Sequence, residues 1–595
     1  MKRLRIAMAA GGIIAAVAAA WMWAAQQGAA PHTSLAADLP SGALMTIESP
    51  DFGHLLHAWD GSPEQAAWMR SASFSAFGNS RLWGRLTDAE QEFAGTADAD
   101  FDAKFLRSVA GTETIFAWYD IGSLEFLYIT RLPPGQAQQV QLLAQRGKFS
   151  ERKAGDATFY VRTGSKADQS DGTGQQRTVA FAQSGGFLLL ATREDLIANA
   201  LLRMQGHKDA QGIAEEGWFQ AATKATTEAP GDLHMMLDLQ RLARTPQFET
   251  YWVQRNVTAT RRYRAAVVDL YCESGHFREE RTLLPMDAST LPAGSEDAAA
   301  LEQLVPDRAG VYRIAATPAV ADALAELRDK VLERSAASAS SSTTAPVADL
   351  SVPEAGDAQD LETRIDAPQP VAEPLDAWLA PLRQALGTES LTAMMSVSRS
   401  DASSASMFIP IHSAVVLRRS TAWDEAQLSA AILTALQRRL TVGAVGLAWK
   451  REQAGPTSYL LATGAQPIAL AIHGNTAILS SDPALLRDML ARSPQSNSSS
   501  NGITAIAGFR QVQEQPAFLR LTTVLDGASP ETRGESSDTG VPGSAPAAAF
   551  FRDNIGSLTR NFSALDSEHF TQRTQNGLVR QTVLYTWKSP ASPSR

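Results

Sequence analysis

The chain has 595 residues, 44% hydrophobic and 19% charged, which is the composition of a folded protein and excludes wholesale disorder. Domains of about 100 to 250 residues imply two to four units in a chain of this length, and two large ones fit best. The formal net charge of −10 comes from 53 basic against 63 acidic side chains, and without a concentrated basic face it gives no footing to a nucleic-acid partner.

The chain opens with Lys2, Arg3 and Arg5, followed by an uncharged, mostly apolar run from Ile6 to Ala25. At about 1.5 Å per residue, a helix over such a run spans roughly the thickness of a bilayer's hydrocarbon core. The expectation is an N-terminal membrane anchor or signal segment over residues 1–30. It would be single-pass in a bacterial inner membrane, with Trp21 and Trp23 at the far interface and the bulk of the chain periplasmic. A cleaved signal, which would leave a secreted protein, is the alternative. A cut after Ala25 puts Trp23 at −3 and one after Ala30 puts Pro31 at +1, both poor, whereas a cut after Ala36 has Ser34 at −3.

Beyond this segment the chain repeats itself. FLLLATREDLIANAL from Phe187 has a counterpart in AILSSDPALLRDML from Ala477, each an apolar run that ends in a polar cap and then becomes amphipathic. Leu39-Pro40-Ser41-Gly42-Ala43 answers Val305-Pro306-Asp307-Arg308-Ala309, and FLRSVAGTETIFAWYD from Phe105 answers PLRQALGTESLTAMMS from Pro381. Gly217-Trp218-Phe219-Gln220 is paired with Gly508-Phe509-Arg510-Gln511, and Gly275 to Arg278 with Gly577 to Arg580. Matches in the same order across two halves indicate duplication.

Alternating apolar residues predict strands in TIFAWYD, EFLYITRL, DLHMMLDL, YRAAVVDLYCE and FREERTLL of the first half. LTAMMSVS, AVVLRRS, FLRLTTVL and LVRQTVLYTW are the strands expected in the second. Hairpins are expected to turn at Gly185-Gly186 and at Gly474-Asn475, where glycine or asparagine supplies the positive φ of a tight turn. Thr192 or Asp195 is expected to cap one following helix and Asp482, ahead of Pro483, the other. The fold class that follows is α+β: two tandem, internally duplicated domains at 39–286 and 304–589, each a largely antiparallel sheet with helices packed on one face. Stretches rich in Ser, Ala, Pro, Gly and acids near 335–374, 493–501 and 526–549 read as disordered insertions in the second copy. In the first of these, seven acids stand against Arg364 alone.

Candidate chemistry is sparse. One cysteine, Cys272, excludes a disulfide within the chain, and its strand-like neighbours predict a buried, inert thiol. His54 and His57 share a helical face and could hold two corners of a metal site, without a third ligand in view. Ser150 and Lys153 satisfy S-x-x-K but lack its partner motifs. Glu194-Asp195 and Glu215-Glu216 are paired acids of the kind that helix starts attract. Arg261, Arg262 and Arg264 read as a solvated edge. Trp59, Trp68, Trp83 and Trp118 would fill a core or line a groove. No catalytic, cofactor-binding or metal residue is assigned.

The segment Met1 to Ala25, the Leu39-Pro40 opening and the strand-to-helix stretch Leu188 to Leu196 together resemble a group of uncharacterised bacterial envelope proteins with an N-terminal anchor. The resemblance implies no catalytic residue. The functional expectation is a membrane-anchored extracytoplasmic binding or scaffold protein, with the membrane and an envelope protein as its partners. An enzyme with a dispersed site between the two copies, or a carrier of an apolar ligand in a dry cavity, are the alternatives.

Overall fold

The computed structural model describes residues 34–588, apart from positions scattered through 61–80 and the stretches 165–176, 208–210, 227–228, 247–259, 274, 333–376, 388–390, 402–408, 441–446, 464–466, 493–501 and 529–564. The expected insertions at 335–374 and 493–501 lie outside the described residues, as does 526–549 beyond Ala528.

The first half supplies strands β1 (Met45–Asp51), β2 (Thr112–Asp120), β3 (Glu125–Arg131), β4 (Ser150–Ala154), β5 (Ala157–Thr163), β6 (Thr178–Ser184), β7 (Phe187–Ala191), β8 (Leu233–Asp238), β9 (Tyr263–Glu273) and β10 (His276–Pro285). The second supplies β11 (Val311–Ala316), β12 (Leu391–Ser400), β13 (Ile411–Arg419), β14 (Trp449–Ala454), β15 (Thr457–Ala462), β16 (Ile468–His473), β17 (Thr476–Ser480), β18 (Ile503–Arg510), β19 (Leu565–Gln575) and β20 (Leu578–Trp587). All belong to one 20-stranded sheet in which every pairing is antiparallel. Spatial order runs β4-β5-β6-β7-β3-β2-β1-β8-β9-β10 and continues directly into β20-β19-β18-β11-β12-β13-β17-β16-β15-β14. Read outward from the β10–β20 seam, the two halves follow the same order.

That seam corrects the expected architecture. Two tandem domains with separate sheets are not what forms: β10 pairs with β20 from His276↔Thr586 to Leu283↔Val579, so backbone hydrogen bonds merge the halves. An unpaired strand edge exposes a row of N–H and C=O groups, and joining the last strand of each half removes two such edges at once. The remaining edges, β4 and β14, are short and carry Arg152, Lys153, Lys450 and Arg451, which discourages further pairing.

Helices also cover both faces of the sheet, not one. On one face lie α4 (Glu194–Met204) and α5 (Gly217–Ala225) in the first half, with α6 (Glu296–Glu302) and α10 (Pro483–Leu490) in the second. On the other lie α1 (Phe52–Asp60), α2 (Arg81–Ala97) and α3 (Ala103–Val109), answered by α7 (Val320–Leu327), α8 (Ala380–Leu386) and α9 (Glu425–Leu440). In β7, Leu188 and Leu190 face one helical layer and Leu189 the other, all buried. A run buried on both sides has no polar alternation, and that is the signature of a strand covered twice.

Local signals hold at the turns. Gly185 and Gly186 take φ of 57° and 85° between β6 and β7, and Gly474 takes 54° between β16 and β17. Asp482 caps α10 by accepting from Ala484 N and Leu485 N, with Pro483 at the first helical position. The cap of α4 differs: Arg193 occupies it without a side-chain bond, and Thr192 instead accepts from Phe126 N at 2.9 Å. FLRLTTVL belongs to helix α11 (Gln511–Ala528), and the strand before it is β18. The pairing of Gly217-Trp218-Phe219-Gln220 with Gly508-Phe509-Arg510-Gln511 also fails, because the former opens α5 and the latter ends β18.

Residues 1–30, expected to anchor the chain, lie outside the described residues. Among the described residues no helix is long and apolar enough to cross a membrane. The transmembrane or signal-anchor helix, the membrane as a partner and the single-pass periplasmic placement are corrected accordingly, since nothing described supports them.

Candidate functional site

The first half holds a cavity of about 530 Å³ between the sheet and its α1–α3 cover. Its floor is one face of β1, β2, β3 and β7: Ile47, Phe116, Trp118, Phe126, Tyr128 and Leu190. Ile47 sits opposite Phe116 and Phe116 opposite Tyr128, and directly paired antiparallel residues share a face, so these rings form one continuous surface. Phe52 of α1, Ala89 and Phe93 of α2, and Phe101, Phe105 and Val109 at α3 make the opposite wall. Aromatic contacts fix the surface: Phe116 stacks on Phe126 at 5.4 Å between ring centroids, and Phe93 meets Phe126 edge-on at 6.3 Å.

Tyr128 ties floor to wall. Its hydroxyl donates to Val109 O at 2.8 Å, and burial pushes its pKa up to about 12, so it stays a neutral donor. Polar groups inside are few. Ser49 and Thr114, opposite each other on β1 and β2, line the end of the floor nearest α1. Thr114 and Thr130 share a hydrogen bond at 2.7 Å, while Ser49 Oγ, on a residue only 5% exposed, has no partner. Among the described lining residues Glu90, exposed on α2, is the one acid, and there is no Lys, Arg or His.

One difference between the described parts of the two halves lies on the cavity's side of the sheet. After β13, the run from Glu425 to Leu440 forms a full helix, α9, with Asp424 accepting from Gln427 N and Leu428, Ile432 and Leu436 buried along one stripe. After β3, the corresponding place holds Pro133, Pro134 and Gly135 and then three short helical turns between Gln136 and Lys148. Only short turns stand where the second half lays down a long amphipathic helix.

A second concentration of polar chemistry lies on the opposite face. One row of facing residues crosses the sheet from β7 to β17: Leu189, Ile129, Ile115, Glu48, His234, Asp269 and Glu280 in the first half. It continues across the seam as Thr582, Thr571, Ile506, Ile314, Met395, Val416 and Ile478. Thus Glu48, His234 and Asp269 occupy the places that Ile314, Ile506 and Thr571 occupy in the other half. His234 Nδ1 lies 2.7 Å from Asp269 Oδ1, and both residues are buried. Glu48 accepts from the Ser34 hydroxyl at 2.7 Å, and burial holds its carboxyl above the ordinary range.

The residues singled out from sequence are mostly elsewhere. His54 and His57 are exposed on α1, and among the described residues no group of three His, Cys, Asp or Glu is placed to hold a metal ion. Ser150 and Lys153 lie in edge strand β4, where a separation of three puts them on opposite faces. Asp195 pairs with Arg193 at 2.5 Å and Glu215 with Arg203 at 2.9 Å. Glu216 accepts from Gly42 N and Trp218 Nε1. Leu39 is fully buried and Pro40 bridges to Gly212, so the Leu39-Pro40 opening serves the core. Arg261, Arg262 and Arg264 are exposed. Cys272 is exposed too, against expectation, with burial and then Asp232 raising its thiol pKa. The strand β9 is right, but its end projects where little covers it. Of the tryptophans, Trp118 lines the cavity, Trp59 and Trp83 are exposed, and Trp68 lies outside the described residues. Sequence reasoning missed the cavity phenylalanines and Ser49; the excess of Phe and Trp between Phe52 and Phe126 was their signal.

No family model and no curated protein matches the chain. A solved structure described as "Structure of crystal form I of TP0453" is similar at 10% identity, over 44% of this chain and 81% of that one, with a TM-score of 0.22. Likeness at that level carries no argument.

Proposed function

We propose that this chain binds an apolar small molecule in the cavity of its first half and acts as a carrier or binding protein for it. The supporting observation is an aromatic-lined hollow of about 530 Å³, within the size range of ligand sites. Apolar cavities in proteins stay dry and take up apolar guests, because water has no hydrogen-bonding partners there.

Titration with the neutral fluorophore Nile red tests the proposal. Wild type should show saturable binding at one site. Ala89→Trp, which places an indole at the wall, should weaken it by at least about tenfold while the circular dichroism spectrum is unchanged. Absence of saturable binding in wild type, or undiminished binding in the folded variant, would refute it.

A further inference from the structure

Beyond the cavity, we propose a second binding site, in the polar pocket beside it, that takes a small hydroxylated monocarboxylate, a sugar acid in class, with its carboxylate on the Arg107 guanidinium. This pocket, of about 620 Å³, lies between α1, α3 and the turn after β3. The same two helices separate the hollows. Phe52, Leu106 and Val109 line the cavity, while Gly53, Arg107 and Ala110, each the next residue along, line the pocket. Its volume is within the range of small-molecule sites, and its polar side chains set the chemistry.

Arg107 is open to a ligand. Its Nε donates to Asp60 Oδ2 at 2.6 Å, which leaves the four N–H donors of its two amino groups without a partner among the described residues, on a side chain 54% exposed. That pair of amino groups matches the two coplanar oxygens of a carboxylate. The fork is also held in place. Asp60 Oδ1 accepts from Gln65 Nε2 at 3.1 Å, and Gln136 Nε2 lies 3.2, 3.0 and 2.7 Å from the carbonyl oxygens of Arg107, Ser108 and Ala110. The Gln136 amide thereby satisfies open carbonyls at the end of α3, whose negative ends would otherwise oppose an anion.

Two further features narrow the class. Asp60 lines the pocket too, and the hydrogen bond from Arg107 holds its carboxyl below the ordinary range, so it is ionised at neutral pH; Asp102 adds its own field at Arg107. Beside these acids a ligand with one negative charge is accepted more readily than a phosphate monoester with two. His57 and Gln139 line the pocket without hydrogen-bond partners among the described residues, and Asp60 has lone pairs left to accept with, so donors and acceptors stand together. Hydroxyl groups both donate and accept and satisfy such a set, which a hydrocarbon tail leaves unpaired.

Calorimetric titration of the full chain at neutral pH and low salt with glucuronate, glucose, glucose-6-phosphate and acetate tests the site. Glucuronate should bind saturably and at least about tenfold more tightly than each of the other three. Arg107→Gln should weaken it by about tenfold or more, whereas Arg152→Gln, a change at an exposed arginine on β4, should leave it unchanged. Nile red uptake should be the same in saturating glucuronate. No saturable glucuronate binding, equal affinity for any of the other three, a folded Arg107→Gln protein that keeps its affinity, an equal loss in Arg152→Gln, or displacement of Nile red by glucuronate would each overturn the assignment. The wild-type selectivity needs no variant, so it decides even if Arg107→Gln does not fold. The two sites fail separately: absence of Nile red binding removes the cavity proposal and leaves this one standing.

Discussion

The two halves lay ten strands each in the same order around one seam, yet their cover layers have opposite characters. Leu106 in FLRSVAG and Leu382 in PLRQALG occupy the same place in the repeated motif, on α3 and α8. Leu382 is fully buried among Leu379, Leu386, Leu428 and Ile432, whereas Leu106 is 42% exposed at the cavity wall. Trp59 and Trp83, on the same side of the first half, are 48% and 38% exposed. A sheet order is a property of backbone pairing and tolerates large changes in what is laid over it; whether a face is filled or hollow is decided by a few helices.

The sharpest way to break that comparison is to truncate the matched leucines. Leu382→Ala should cost about 2 to 5 kcal/mol, because it removes buried methyls and leaves a space the core cannot collapse. Leu106→Ala should cost less than about 1 kcal/mol, since nearly half of that side chain already meets solvent. Urea unfolding of the two variants against wild type measures both. Equal costs would mean that the first half's cover is as tightly packed as the second's.

How much of this was legible in the sequence depended on range. Gly185-Gly186, Gly474-Asn475 and Asp482-Pro483 were readable because turns and caps are decided within four residues. The single sheet was not: β10 and β20 alternate as any half-exposed strand does, and nothing local records that an edge strand meets a partner some 300 residues away. Coverage of both faces is legible in the unbroken FLLLA of β7, but the hairpin pattern around it fits a sheet with one wet face equally well. The cavity lay hidden for a related reason. Phe93, Phe105 and Phe126 look the same in sequence whether they meet other side chains or an empty space, and Ser49 stands out only once its missing partner is seen.

A second contrast lies in the row where Glu48, His234 and Asp269 stand in for Ile314, Ile506 and Thr571. Asp269 accepts from both His234 and Gly231 N, the latter at 3.0 Å, so Asp269→Ala strands two buried donors and should cost about 2 to 4 kcal/mol. The triple variant Glu48→Ile, His234→Ile, Asp269→Thr copies the other half's side chains into the row. It should cost less than the single change, because it removes both sides of the His234–Asp269 contact, leaves Gly231 N a threonine hydroxyl in place of the carboxylate, and otherwise frees only the exposed Ser34 hydroxyl. Thermal or urea midpoints for the two proteins order them; a triple variant less stable than Asp269→Ala would show that the polar row is needed for the fold of this half.

The smallest effect expected is a pH dependence confined to the first half of that row. Burial disfavours the charged form of Glu48 and holds its carboxyl above the ordinary range, with the Ser34 hydroxyl and His234 offsetting only part of this. A carboxyl whose pKa is raised on folding adds stability that is fully present below its unfolded pKa and is lost as pH rises through the folded value. Glu48→Gln carries no charge at any pH and keeps an acceptor for Ser34. The two proteins should therefore differ least in acid, and the variant should become progressively the more stable as pH rises towards neutrality, before the difference levels off. The matching position in the other half, Ile314, has nothing to titrate, so Ile314→Val should shift stability by the same amount at every pH. A gap between Glu48→Gln and wild type that stays constant, or that closes as pH rises, would mean that the half-buried carboxylate is compensated by its neighbours and that the two halves of the row differ in shape alone.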